Sequence, residues 1–278
     1  MRSRRGFTLL TTLWILSVAS IAAMAAALSG RTAVDAGRNR VNFERAHWRA
    51  VGCARRAQAA VDAALSDAPT SEGVAIVWRT LGRAVASSPL IASCDVALEA
   101  AGTRIDLNSA TPEMIVALLA ELGYDDQATA MADILADRDT PLADVRELAR
   151  MPGFAGFEQF DSLITVEPGR ISLATAPSVV LQTVPGISTE AADSIVGRSM
   201  SGEPFDVLLN VVDVISESAA SELIAHYVEA SRLTTADPDA WVLSVRATTG
   251  LPPATERLEW RLARIGRRVT VVDARSEQ

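Results

Sequence analysis

With 278 residues, 49% of them hydrophobic, the chain has enough apolar material for a real core and for two lobes besides an anchor. A net charge of −8, with 6 Arg against 21 Asp and Glu over residues 102–230, argues against a basic nucleic-acid-binding surface. Only two histidines, and no P-loop, H-E-x-x-H, C-x-x-C or G-x-S-x-G pattern, argue against an enzyme.

Three arginines fall within the first five residues, and no charge follows until Arg31. The uncharged run from Phe7 to Leu28 measures about 33 Å as a helix, enough to cross a bilayer core. The arginines should stay cytoplasmic, so the rest of the chain is expected on the exported side. Ala22 to Ala27 supply the small residues of a cleaved secretory signal, but the apolar run is too long for that class. A plain membrane anchor accounts for the length and leaves the abrupt Arg4-Arg5-Gly6-Phe7 junction unexplained.

That junction resembles a type IV prepilin leader. The resemblance implies cleavage between Gly6 and Phe7 by a prepilin peptidase, methylation of the new terminal Phe7, and retention of the helix. It also implies that Leu9, Leu10, Thr11, Leu13, Trp14 and Leu16 pack against neighbouring subunits in a filament. Major pilins carry a Glu at the fifth mature residue, where this chain has Thr11. A buried carboxylate without a partner is costly, so a subunit at the end of a filament gains nothing from one. In this departure the chain is similar to the K-type minor pseudopilins of type II secretion, the general secretion pathway protein K family.

Helical character continues to about Leu65. Val34, Val41, Trp48, Val51, Ala54, Ala57, Val61 and Leu65 recur at three, four and seven, which predicts an apolar stripe facing a soluble lobe. Asp67-Ala68-Pro69 ends the run. Val74 to Trp78 reads as a strand or a short helix, and Cys94 to Glu99 alternates as a half-buried strand does. Cys53 and Cys94 would both lie on the oxidising side of the membrane. A disulfide between them would close a loop of about 40 residues and contribute about 3 to 4 kcal/mol, but two unlinked buried thiols fit the sequence as well. Alternation returns at Trp241-Leu243-Val245, at Leu258-Trp260-Leu262 and at Val269 to Val272, with turns at Thr249 to Pro253 and at Ile265-Gly266.

The expected fold is therefore α+β: a pilin-like long N-terminal helix packed on an antiparallel sheet, with a large inserted all-helical lobe. The divisions are 1–6 for the leader, 7–29 for the transmembrane segment, 30–102 with 233–278 for the pilin-like lobe, and 103–232 for the insertion. The insertion contains a repeat. Arg104-Ile-Asp-Leu-Asn-Ser-Ala-Thr-Pro112 returns as Arg170-Ile-Ser-Leu-Ala-Thr-Ala-Pro177. Each copy continues as a short helix capped by Thr111 or Thr175, a tight turn and a second helix ending near Arg138 or Arg198.

Leu181 to Ile195 resembles a helix-hairpin-helix, which in nucleic-acid binders offers backbone amides to a phosphate. A membrane-anchored DNA-uptake receptor is thus the alternative function. Against it stand the net −15 of residues 102–230, the acids Glu190, Asp193, Glu203 and Asp206 near the turn, and Ser188 where DNA-binding versions have a second Gly. No nucleic-acid partner is expected.

The order of leader, missing Glu, insertion and strand-rich end resembles the K-type pseudopilins. It implies a subunit at the tip of the pseudopilus, in the inner membrane with its bulk in the periplasm. There it would start pseudopilus assembly and support protein export across the outer membrane. Its implied partners are the I-type and J-type minor pseudopilins, other pseudopilins and the inner-membrane assembly platform. The leader alone is equally that of a minor pilin of a type IV pilus. Some pseudopilins bind calcium, but Asp125, Asp126, Asp133, Asp137 and Asp139 match no calcium-loop spacing and read as a solvated acidic face, so no cofactor or metal is expected. His47 and His226 read as packing or surface residues.

Overall fold

No proline precedes Pro69, and the interior glycines each cost only roughly 1 kcal/mol against Ala. In the computed structural model this stretch forms one 64-residue helix, α1 (Arg4–Asp67). The structure describes residues 4–277 apart from 87, 90, 93, 155–159 and 161, with side chains from Leu10 onward except Ala84 and Glu277. Beyond Pro69, the Thr70 hydroxyl accepts the Gly73 N–H at 3.0 Å and starts α2 (Ser71–Arg79), so the run Val74 to Trp78 is helical. A short α3 (Leu81–Ala86) follows.

β1 (Asp95–Ala100) then pairs antiparallel with β6 (Trp241–Thr249), which pairs with β7 (Ala254–Ile265), which pairs with β8 (Arg268–Glu277). Trp241, Leu243, Val245 and Ala247 from β6, with Leu258, Trp260 and Leu262 from β7, face α1, and the period-two pattern read from the sequence is the buried face of this sheet. Between Arg261 and Leu262 the register slips by one residue, a bulge that bends the outer strand. At that outer edge Asp62 of α1 accepts the Val269 N–H at 2.8 Å, and Gln58 donates to the Val269 carbonyl. The helix thereby satisfies the outward N–H and C=O of Val269 at the start of the edge strand.

The face that α1 turns to the sheet differs from the stripe expected. Ala46, Ala50, Cys53, Ala54, Ala57, Ala60, Val61 and Leu65 are buried, while Val34, Val41 and Trp48 are exposed. The reason is distance: small side chains let helix and sheet approach closely, whereas a pattern weighted by side-chain size favours Trp48 and Val41 over the alanines that make the contact.

Residues between β1 and β6 build a second core. Its elements are β2 (Ile105–Asp106), α4 (Pro112–Glu121), α5 (Asp125–Ala136), β3 (Ile164–Thr165), β4 (Ile171–Ser172), α6 (Ser178–Leu181), α7 (Thr189–Ser201), α8 (Glu217–Ala225), α9 (Tyr227–Leu233) and β5 (Thr234–Thr235). The region expected to be all-helical is thus mainly helical but carries three two-residue strands, with a fourth, β5, just beyond residue 232. β2 pairs in parallel with β3, and β4 with β5, so each repeat is closed by a strand at its own end. The equivalent bonds are Leu107 N–H to the Thr165 carbonyl and Leu173 N–H to the Thr235 carbonyl, both 2.9 Å.

Thr111 caps α4 as expected, its hydroxyl accepting the Met114 N–H. Thr175 does not cap α6. The residue dropped from the second copy puts Pro177 at the cap position, and the buried Thr175 hydroxyl has no partner among the described residues.

Candidate functional site

From Leu10 to Val41 α1 touches nothing else in the chain strongly enough to bury a side chain. Leu10, Leu13, Trp14 and Leu16 are all more than half exposed, and Thr11 is partly so. Gly6 has no side chain, and those of Phe7 and Leu9 lie outside those described. Ser17 and Ser20 return their hydroxyls to the helix, Ser17 to the Leu13 carbonyl and Ser20 to the Leu16 carbonyl, so neither needs water. The segment is long and apolar enough to cross a membrane as a single-pass anchor.

Further along, the sheet runs away from the apolar segment along α1. The Thr249 hydroxyl donates to the Asn42 carbonyl at 2.8 Å, whereas Arg267, in the turn after β7, donates to the Ser66 and Ala68 carbonyls. Ser66 lies about 36 Å further along α1 than Asn42 at 1.5 Å per residue. The inserted lobe leaves the sheet after Ala100 and returns before Trp241, where the Ala101 N–H bonds the Ala240 carbonyl at 2.8 Å. Exit and return are therefore adjacent, at the end of the sheet farthest from the apolar segment.

That junction is held by arginines. Arg79 at the end of α2 binds Asp237 at 2.6 Å and also Asp206. Burial opposes the charge on Arg79, but its bonds to Asp237 and Asp206 outweigh this and hold its pKa above the ordinary arginine value. Arg264 of β7 binds Asp237, while Arg261 of β7 and Arg275 of β8 bind Glu167. Trp78 donates its indole N–H to the Pro238 carbonyl at 2.7 Å, and Trp241 donates to the Trp78 carbonyl at 3.0 Å. Glu167 and Asp237 occupy equivalent places, in Leu163-Ile-Thr-Val-Glu-Pro168 and Leu233-Thr-Thr-Ala-Asp-Pro238. This second repeated motif marks both closing strands and both arginine acceptors, and reading only the opening motif misses it.

The two cysteines meet at the other end of β1 from this junction. Cys53 of α1 and Cys94 before β1 are joined by a disulfide, with Cα atoms 5.8 Å apart. Of the histidines, His47 contacts the buried Glu256 carboxylate, Nδ1 to Oε1 at 3.1 Å, and His226 is exposed. Asp125 and Asp126 occupy the first turn of α5, where they favour the helix dipole, and among the described residues no three Asp, Glu, His or Cys converge as metal ligands would. In the second hairpin Gly186, at φ +80°, sits so close to α8 that an added Cβ would lie 2.7 Å from the His226 Cβ. The hairpin turn is packed against its own chain.

No family model matches the sequence, and no curated protein does. Among solved structures, a chain of the GspK-GspI-GspJ complex from the type 2 secretion system of enterotoxigenic Escherichia coli aligns over 87% of this chain and 99% of its own length. The TM-score is 0.58 at 13% sequence identity. The fold is GspK-like. Since residues 103–232 make up nearly half of the chain, coverage of 87% takes in much of the inserted lobe as well as the helix and sheet. Shared with the GspK-like fold are the long N-terminal helix and the antiparallel sheet, the α+β arrangement expected from the sequence.

Proposed function

We propose that this protein is a minor pseudopilin at the tip of a type II secretion pseudopilus, where it initiates assembly and supports export across the outer membrane. The observation that carries this reading is the position of the inserted lobe. It emerges at the membrane-distal end of the sheet, leaving the membrane half of α1 bare for lateral contact with other anchored helices. A subunit so built can be joined from below and from the side but not from above. Its proposed partners are I-type and J-type minor pseudopilins, the neighbour's own complex being of that kind. The proposed route of entry is cleavage by a prepilin peptidase between Gly6 and Phe7. DNA uptake is disfavoured by the acidic lobe and by the hairpin turn lying against His226.

Mass spectrometry of the native protein tests the processing step, with N-methyl-Phe7 expected as the first residue. Co-purification with I-type and J-type pseudopilins tests the assembly role. A mature chain beginning beyond Ala22 would overturn the proposal, and stable association with a type IV pilus minor set instead would move it to that system.

A further inference from the structure

The face of α1 turned away from the sheet carries a second pattern. Val34, Val41 and Trp48 follow one another at seven-residue intervals and are 55%, 48% and 67% exposed. Arg31, Arg38 and Arg45 run beside them at the same interval, each three residues earlier and each exposed. A seven-residue repeat stays in register with a second helix when the two wind gently around each other, and charges beside such a seam set partner choice. Gly30, Gly37 and Gly52 fall on the same side, with open space where a Cβ would project, so a second helix can approach closely. Around the first of them Ala27, Gly30, Arg31, Val34, Asp35 and Arg38 line an open groove of about 550 Å³. None of Arg31, Arg38 and Arg45 makes an ion pair or side-chain hydrogen bond among the described residues.

We infer that this face receives the helix of another anchored subunit whose own apolar row is flanked by Asp or Glu at seven-residue spacing, with the three arginines selecting that partner and fixing its register. The inference rests on the pseudopilin reading and adds the chemistry of the partner. Lipid does not fit the whole face. At 1.5 Å per residue Val41 and Trp48 stand about 20 and about 30 Å beyond Leu28, outside a headgroup layer that extends roughly 5 to 8 Å past the hydrocarbon core. A basic partner would set like charges together along the seam.

The test uses the full-length protein, expressed in its own cell with the other secretion components and carrying benzoylphenylalanine in place of Val41 or, separately, Trp48. Light-induced adducts are mapped by mass spectrometry. The expected adduct is with a helix just outside the membrane in another N-terminally anchored chain, bearing acidic residues at seven-residue spacing. Arg31→Glu, Arg38→Glu and Arg45→Glu together should lower its yield about tenfold, the effect of turning three surface pairs into repulsions. The corresponding Lys variant should keep the yield, and reversing the partner's acids to Arg should restore it. Adducts with lipid alone, a partner helix without the acidic row, no adduct, or a yield indifferent to the charge reversal would each overturn the inference. If the triple Glu variant still co-purifies with I-type and J-type pseudopilins at full yield, the inference falls while the pseudopilin reading stands. If the wild-type chain co-purifies with no pseudopilin, that reading itself falls.

Discussion

A Cβ placed on Gly102 would fall 1.8 Å from the carbonyl oxygen of Arg170. Gly102 is the second residue after the chain leaves the sheet, at φ +87°, and its own carbonyl accepts the Ser172 N–H at 2.9 Å. Exit from the sheet and the opening of the second repeat are thus locked backbone to backbone, where no side chain can yield. Gly102→Ala should therefore cost about 3 kcal/mol or more, from the left-handed backbone and the clash together. Gly123→Ala is the control. It has a similar φ of +82° with open space around it, and should cost only about 1 kcal/mol. Thermal melts of the two variants check the difference, and equal losses would contradict it.

Arg79 carries the next expectation. Its side chain is only 10% exposed, and it joins Asp237, which also binds Arg264, to the largely exposed Asp206. Arg79→Met leaves Asp237 with one cation fewer inside the junction, and a loss of about 2 to 4 kcal/mol is expected. Asp206→Asn removes a partner that is 63% exposed and should cost less than about 1 kcal/mol. Chemical denaturation of the single and double variants would measure both. A larger effect at Asp206 than at Arg79 would mean that the junction is organised otherwise.

The uneven legibility of this chain has physical causes. Alternation at Trp241, Leu243 and Val245 was readable because one face of a sheet is buried and a period of two leaves no ambiguity. The length of α1 was readable because nothing before Pro69 stops a helix. Its buried face was misread at Val34, Val41 and Trp48, because close packing uses alanine, and large apolar residues at helical spacing look like core even where they are exposed. The arginine lattice around Glu167 and Asp237 joins residues 27 to 158 positions apart, and no local spacing announces it. The likeness of the two Leu-x-Thr-x-acid-Pro segments was present in the sequence and would have marked both acceptors.

The disulfide leads to a third expectation. Cys53 lies in the buried face of α1 and Cys94 just before β1, at a sequence separation of 41 that takes in both α2 and α3. Closing that loop in the unfolded chain removes entropy equivalent to about 3 to 4 kcal/mol. Cys53→Ser with Cys94→Ser, or reductant added to the wild type, should lower the melting temperature of the helix and sheet lobe by a matching amount. Hydrogen exchange should show β1 and α3 losing protection before α7 does, since α7 belongs to the other core. Equal loss in both cores would show that they unfold as one unit.

Asp239 provides the pH dependence. Its carboxylate accepts the Arg170 backbone N–H at 3.1 Å and the Arg170 Nη2 at 2.7 Å, tying the start of the second repeat to its end. Burial works to raise its pKa, but the hydrogen bonds from Arg170 and the charges of Arg170 and Arg261 outweigh it and hold the group below the usual aspartate value. The folded state therefore binds this proton less readily than the unfolded one, whose pKa is about 3.9. Above that pH the contribution is fully present, and it is lost as pH falls from there through the folded value. Asp239→Asn should accordingly lower stability at neutral pH, and the gap between variant and wild type should close as the pH drops below about 4. Melting both proteins from pH 7 to pH 2 measures the gap, and a gap that stays constant across that range would show that the Arg170 contact acts through shape rather than charge.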